Sequence, residues 1–141
     1  MGIVRSIPEV EAWLSDHSES WRMLSDSEYR ALVRDWNAKF RPLIEQEQTT
    51  STGSRALDLL AGHLPADIIL FSGIRVPEVA NLGGSCACGY SASGLTLLDH
   101  NLLRQKELLT CAPDLSWSCL FSHETGSMFH EQLYGHLESV A

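Results

Sequence analysis

The sequence predicts an α+β fold, in which N-terminal helices pack on a mainly antiparallel sheet and a C-terminal helix ends the chain. Two observations predict this class. Apolar residues recur at helical spacing in the first part of the chain, whereas short apolar or alternating runs separated by turn signals follow it. Helices followed by a group of strands are typical of α+β proteins rather than of an alternating α/β sheet. A length of 141 residues predicts a single domain over residues 1–141.

Two helices are predicted before residue 46. Ser6–Pro8 indicates the start of the first helix, which we expect to end at Leu14 or Ser15. Ser25–Glu28 is a capping box and opens the second helix, the clearest in the chain. Its apolar stripe, at spacings of three and four, comprises Tyr29, Leu32, Val33, Trp36, Phe40, Leu43 and Ile44. This stripe predicts a helix that faces the core.

Proline and glycine set the expected limits of the helices. Pro42 lies inside the apolar stripe of the second helix and predicts a kink or a break near Lys39–Arg41. A polar linker follows, and a short third helix is expected over Arg55–Gly62, where glycine ends it.

Strands are predicted in the central part of the chain. Ile68–Phe71 is a continuous apolar run, which suits an interior strand covered on both faces. Further strands are expected near Cys86–Tyr90 and at Leu95–Leu98. Asn101–Leu109 fits either a short helix or the second arm of a hairpin. The hairpin is favoured because the segment leads into Pro113-Asp114, a turn signal.

Ser116–Leu137 predicts a strand, a turn and the closing helix. In an extended chain Trp117, Cys119 and Phe121 share one face, which indicates a half-buried strand. Thr125 or Ser127 could then cap a helix. Its apolar residues at roughly helical spacing are Met128, Phe129, Leu133 and Leu137.

Acidic residues outnumber basic ones, at 18 Asp and Glu against 10 Lys and Arg. After Val76 the basic residues are Arg104 and Lys106 alone. A negatively charged chain repels phosphate backbones, so direct binding of nucleic acid is disfavoured. The charge balance favours a basic partner instead.

The sequence predicts a cytoplasmic protein with no membrane segment. Residues 1–15 include Glu9 and Glu11 and lack the long apolar run of a secretory signal. No segment approaches the roughly 18 apolar residues that span a bilayer. In the cytoplasm the four cysteines are expected to stay reduced.

Cysteine and histidine spacing does not predict a metal site. Cys86 and Cys88 are closer together than the usual pair of zinc ligands, and we expect Cys111 and Cys119 to be small buried residues. A zinc-binding HExxH motif requires histidines four residues apart, whereas His130 and His136 are six apart. No metal and no cofactor is therefore predicted.

A cysteine nucleophile is the basis of the alternative function, a Cys/His or metal-assisted hydrolase. Gly84-Ser85-Cys86 resembles the GSC run around the nucleophile of papain-type proteases, although Ala87 stands where that family has an aromatic residue. In this alternative Cys86 is the nucleophile and His123 is the base. Glu124 or Asp99 would orient the imidazole ring.

We favour the hypothesis of a non-catalytic protein-binding module over that of an enzyme. Its candidate partner-binding residues are Asp99, Glu107, Asp114, Glu124, Glu131, Tyr134, His136 and Glu138. Carboxylates steer association with a basic partner, and aromatic anchors prolong it. In size, charge and lack of a catalytic motif the chain is similar to bacterial immunity proteins, which block a toxin's active site. That likeness implies an inhibitor that neutralises a basic toxin or enzyme.

Overall fold

The computed structural model describes residues 6–46, 51–72, 88–106, 108–121 and 131–135. The helices are Pro8–His17 (α1), Asp26–Glu45 (α2), Gly53–His63 (α3) and His100–Gln105 (α4). The strands are Ser20–Met23 (β1), Ser51–Thr52 (β2), Ala66–Phe71 (β3), Gly89–Leu95 (β4), Leu109–Cys111 (β5), Trp117–Phe121 (β6) and Glu131–Gly135 (β7). Within these ranges the strands form one sheet in the order β1-β4-β3-β5-β6-β7-β2, and all neighbours are antiparallel. The predicted α+β class with an antiparallel sheet is confirmed.

Helix α2 begins at the predicted capping box. Ser25 Oγ accepts a hydrogen bond from the Glu28 N–H at 3.2 Å, and the Glu28 carboxylate accepts one from the Ser25 N–H at 2.9 Å. Arg22 of β1 donates two further hydrogen bonds of 2.7 Å, one to each oxygen of this carboxylate. The Arg22 guanidinium, with help from the Ser25 N–H, lowers the pKa of Glu28 from 4.5 to about 2. One carboxylate therefore ties the first turn of α2 to strand β1.

The helix continues through Pro42, so of the expected kink or break near Lys39–Arg41 the break is wrong and the kink stays a prediction. Proline removes one backbone hydrogen bond and crowds the preceding turn, at a cost of about 3 kcal/mol. Phe40 and Ile44 lie on either side of Pro42 and are buried. Burial of two such side chains contributes about 1.5–3 kcal/mol each, which is enough to hold the last turn in helical form.

Alternate residues of strand β6 belong to two different apolar clusters. Trp117 and Phe121 pack in a cluster with buried residues of α1 and α3, whereas Leu120 packs in one with buried residues of α2. The predicted alternation is confirmed, but all five residues of the strand are buried. Ser118, on the opposite face from Trp117, lies beneath α2 and accepts a 2.9 Å hydrogen bond from Trp36 Nε1. The strand is therefore covered on both faces rather than half-buried.

Helix α1 is attached to the sheet through Tyr90 of strand β4. The buried Tyr90 hydroxyl accepts a hydrogen bond from the Ile7 N–H at 2.8 Å and donates one to Glu11 Oε2 at 2.7 Å. Burial raises the pKa of Tyr90, so the phenol keeps its proton. The helix ends at His17, beyond the predicted end.

Two predicted strand segments after residue 94 are wrong. Strand β4 ends at Leu95, because the following Thr96 turns away to bond the carbonyl of His17 through both its N–H and its hydroxyl. The favoured hairpin arm at Asn101–Leu109 is helix α4 over residues 101–105. Asp99 Oδ1 caps that helix by accepting a hydrogen bond from the Leu102 N–H at 3.1 Å.

The predicted C-terminal helix is also wrong where the structure describes it. Glu131–Gly135 forms strand β7, paired with β6 from Trp117 opposite Gly135 to Phe121 opposite Glu131. Leu133 and Tyr134 are adjacent in sequence but buried in different apolar clusters, which is the alternation of a strand. The rest of the predicted helix lies outside the described residues.

The Glu28→Gln substitution should remove part of the acid sensitivity of the fold. A carboxyl group with a lowered pKa stabilises the folded protein above its unfolded pKa, and this stabilisation is lost as pH falls through the folded pKa. For Glu28 that loss falls between pH 4.5 and about 2. In urea unfolding the free energy of unfolding of the variant should fall less steeply over this window than that of the parent. Glu45→Gln, at the exposed far end of α2, is the matched control, and equal slopes for Glu28→Gln and the parent would contradict the assignment.

The Gly135→Ala substitution should destabilise the protein by at least about 2 kcal/mol. Gly135 has φ +84°, and an added Cβ would overlap the carbonyl oxygen of Ser116, the residue before strand β6. Gly62→Ala is the control, because a Cβ there meets open space and alanine favours a helix. Chemical denaturation measures both variants. A stabilised Gly135→Ala variant would indicate a helix at this position and would contradict strand β7.

Candidate functional site

An open groove of about 600 Å³ lies at the end of the sheet where β3 begins and β5 turns into β6. Helix α3 ends at His63, just before β3, and residues 112–116 form the turn. The residues that line it are His63, Ala66, Asp67, Ala112, Pro113, Asp114, Ser116 and Trp117. We call this feature the β3 groove.

The pairing of β3 with β5 brings two carboxylates to the β3 groove. Ile69 lies opposite Cys111 in this antiparallel pair. From this pair β3 runs back to Asp67 and the chain after β5 runs on to Asp114, so antiparallel pairing carries both residues to the same end of the sheet. Asp67 and Asp114 are both exposed and both line the groove. Their proximity is therefore a product of strand pairing between distant parts of the chain.

Backbone N–H groups fix both carboxylates in place. Asp67 Oδ1 accepts a hydrogen bond from the Gly94 N–H at 3.0 Å, and Asp114 Oδ1 accepts one from the Ser116 N–H at 2.9 Å. Hydrogen bonds from Ser116, first from its side chain and then from its backbone, lower the pKa of Asp114, and Lys39 adds a smaller Coulombic contribution. Asp114 is therefore a negatively charged group of defined orientation at neutral pH.

Neither carboxylate of the β3 groove is neutralised by a basic side chain of the described chain. Ion pairs occur elsewhere on its surface, and they join Glu9 to Lys106, Glu28 to Arg22, Asp26 to Arg30 and Asp35 to Arg34. Among the residues that the structure describes, no Lys, Arg or His lies within 4.0 Å of the Asp67 or Asp114 carboxylate. The groove therefore carries negative charge without a counter-charge in contact.

Two aromatic rings form part of the groove wall. The imidazole of His63 meets the indole of Trp117 edge to face, with ring centroids 5.8 Å apart and an interplanar angle of 84°. Trp117 itself is almost fully buried, so the core holds this wall rigidly. Nδ1 of His63 is buried and has no hydrogen-bond partner among the described residues. The groove thus combines two exposed carboxylates with a buried indole and a partly buried imidazole.

The structure does not gather the predicted partner-binding residues that it describes into one surface. Asp114 lines the β3 groove, whereas Asp99 is occupied as the cap of α4. Tyr134 is 2% exposed and packs beneath α2. A ring buried in this way is out of reach of a partner in the described structure, and the partner-binding role of Tyr134 stays a prediction.

Several predicted site residues lie outside the described part of the chain. For Glu131 the structure describes the backbone in strand β7 but not the side chain. The residues outside the described ranges are Cys86, Glu107, His123, Glu124, His136 and Glu138. The alternative Cys86, His123 and Glu124 arrangement therefore stays a prediction.

Sequence reasoning missed His63 and Asp67. It treated His63 as lying past the end of a short helix and Asp67 as the residue before an apolar strand. One signal was present, since Asp67 is a charged residue directly before a run that is otherwise buried. Only the strand register reveals that this carboxylate lies beside the Pro113-Asp114 turn.

The described cysteines occupy packing positions. Cys88, Cys111 and Cys119 are buried, as expected for the latter two. Burial raises the pKa of Cys111, which keeps this thiol protonated and unreactive. Within the described ranges no group of three or more His, Cys, Asp or Glu side chains is placed to hold a metal ion.

Comparisons with known proteins add no relative. No protein-family model, no curated protein and no solved structure matches the chain. Of the helices in the described residues, none has the length and apolar character needed to cross a bilayer.

Proposed function

We propose that this protein is a cytoplasmic, non-catalytic binding module that holds a basic protein partner through its acidic surface. Such a module would act as an immunity-type inhibitor acts on a toxin or enzyme. The observation that carries the proposal is the pair Asp67 and Asp114 on an open groove, with no cation in contact in the described part of the chain. An unneutralised pair of carboxylates on a concave surface attracts positively charged groups.

Long-range electrostatics supports a basic partner. The formal net charge of the chain is −8, so a basic protein is drawn towards it from a distance. The fixed carboxylates of the β3 groove then act at short range, where orientation matters. Because both are already held by backbone N–H groups, little ordering is left to be done on binding.

The shape of the β3 groove supports a macromolecular partner. Sites for small molecules usually enclose most of the ligand surface. This groove is open to solvent at the end of the sheet. The turn between β5 and β6 and the start of β3 line it. Such a surface suits a side chain that projects from a larger protein.

The double substitution Asp67→Asn and Asp114→Asn should abolish recognition of basic sequences. Asparagine keeps the Oδ1 acceptor that each backbone N–H uses, so the local fold should persist. The test is selection of displayed random peptides on the immobilised protein. The parent should enrich peptides rich in Lys and Arg, and the double variant should not.

The matched control is the double substitution Asp26→Asn and Asp35→Asn on α2. It changes the net charge by the same amount but removes carboxylates that are already paired with arginines. Enrichment should persist on this control. If both double variants lose enrichment equally, general charge rather than the β3 groove is responsible. If the parent enriches peptides without basic residues, the proposal is wrong.

The same variants test the inhibitor form of the proposal. The product of an adjacent gene, if it is a basic protein, is the first partner to test, and its association rate should fall as salt rises. The groove variant should associate about tenfold more slowly than the α2 control at low salt.

A further inference from the structure

Strand β1 forms one edge of the sheet, where β4 is its neighbour in the described chain. We infer that this edge pairs with strand β1 of a second copy of the chain, antiparallel and about a twofold axis through Arg22. The pairing joins two sheets edge to edge. Three features of β1 carry the inference, namely the direction of its backbone groups, the apolar side chains on one face and the ion pair on the other. It goes beyond the proposed function, because the second copy is not the basic partner.

The backbone of β1 has hydrogen-bonding groups that point away from the sheet. The Leu24 N–H, directly after the strand, donates to the Gly89 carbonyl at 2.8 Å. The strand register ends with Met23 opposite Tyr90, so the bonded residues are the next pair along the ladder. Hydrogen-bonded pairs alternate in an antiparallel ladder, so the N–H and carbonyl groups of Trp21 and Met23 face away from β4. Within the described ranges no other strand pairs with them.

A copy of the same strand complements these outward groups. A twofold axis through Arg22 sets Trp21 of each copy opposite Met23 of the other. These residues then lie in hydrogen-bonded pairs, and each pair exchanges both of its N–H to carbonyl bonds. An axis through Trp21 or Met23 would form one such pair within the strand instead of two, so the Arg22 register satisfies the most backbone groups.

The apolar face of β1 meets that of its copy in this register. Trp21 and Met23 are partly buried and pack on the apolar cluster that includes residues of α1. The Trp21 indole is already fixed, since its ring lies 5.7 Å from that of Tyr90 at 71° and its Nε1 donates to Ser15 Oγ at 2.9 Å. Directly opposite residues have Cβ atoms about 4.5–5.5 Å apart, so the indole of each copy contacts the thioether of the other. Such sulfur–aromatic contacts are favourable, and a fixed ring loses little entropy on pairing.

The charged face of β1 is neutralised before pairing. Edge strands often carry a charged side chain that repels a second strand, and like charges directly opposite each other are unfavourable. The twofold axis brings two Arg22 side chains opposite each other. Each of them, however, donates a 2.7 Å hydrogen bond to each oxygen of its own Glu28. Each copy therefore brings an ion pair to the axis, and the carboxylate of each pair attracts the arginine of the other.

Charge also decides between a second copy and the basic partner as the occupant of this edge. A basic segment would set its own cations beside Arg22 and would bring no carboxylate to offset them. The second copy brings Glu28 together with its arginine. A strand of the same sequence is therefore the better match for β1.

The first test is the association of the full chain between about 10 µM and about 1 mM, where small interfaces of this kind associate. Sedimentation velocity should show a monomer that converts to a dimer across this range. Because each copy carries a net charge of −8, the dimer should strengthen as salt rises, whereas binding of a basic partner weakens. A chain that stays monomeric throughout, or a dimer that weakens with salt, overturns the inference and leaves the proposed function in place.

Amide hydrogen exchange locates the interface without a variant. The N–H groups of Trp21 and Met23 should exchange rapidly in the monomer and become protected as the dimer forms. The Leu24 N–H, which is bonded to Gly89, should be protected at every concentration. If a dimer forms while exchange at Trp21 and Met23 does not depend on concentration, the copies use another surface and the inference is overturned.

The Met23→Pro substitution should weaken the dimer at least about tenfold, because each copy loses an outward N–H and gains a ring that blocks the approaching strand. Proline is tolerated on an edge strand where the N–H faces solvent, so circular dichroism should show a folded monomer. Met23→Leu is the matched control, which keeps the N–H and should dimerise like the parent. Equal dimerisation of the two variants overturns the inference. If the proline variant unfolds, the exchange of the parent amides decides.

Discussion

A buried hydrogen-bond chain between helix α2 and the sheet fixes how the two pack. Trp36 has no exposed surface, and its Nε1 donates to Ser118 Oγ at 2.9 Å. Ser118 Oγ in turn donates to the Thr110 carbonyl at 2.9 Å. A buried indole N–H without a partner would cost about 1–3 kcal/mol, so the helix has one favourable position over β5 and β6. The rings of Phe40 and Phe71 then pack around this indole, with centroids 5.8 and 6.1 Å from it.

This packing of α2 on the sheet connects the core to the β3 groove. The hydrogen bonds from Trp36 to Ser118 and from Ser118 to Thr110 link α2 to strands β5 and β6. The turn that connects these two strands carries Asp114. Trp117 begins β6 and forms part of the groove wall, while its neighbour Ser118 faces α2. The same short strand therefore serves the packing of the helix on one face and the wall of the groove on the other. Such a rigid base can hold the two groove carboxylates in fixed positions, although neither has a paired cation in the part of the chain that the structure describes.

Local signals in the sequence predicted the features that depend on neighbouring residues. The Ser25–Glu28 cap, the apolar stripe of α2 and the alternation of β6 all follow from residues close together in the chain. Strand β7 could not be predicted in this way, because Leu133 also fits a helical spacing. Its strand form comes from pairing with β6, where only a glycine fits opposite Trp117. Strand β1 is a second example, because its four residues are stabilised by pairing with β4, far along the chain.

The candidate site shows the same division. Asp114 could be selected from sequence because it is acidic and belongs to a recognisable turn. Asp67 and His63 could not, because it is the pairing of β3 with β5 that brings them to the same groove as Asp114. Tyr134 was selected as an aromatic anchor, but the alternation of β7 turns it into the core. Acidity therefore identified the type of surface, and tertiary pairing decided which carboxylates share a groove.

Native-state hydrogen exchange of the Trp36 indole N–H tests most directly whether this buried hydrogen bond holds α2 on the sheet. With the indole proton resolved by NMR, its exchange should require global unfolding. Its free energy of opening should then equal that of the β6 amides and fall with urea in the same way. Exchange at the rate of a free indole, with no dependence on urea, would show that the Trp36–Ser118 bond does not hold α2 in place.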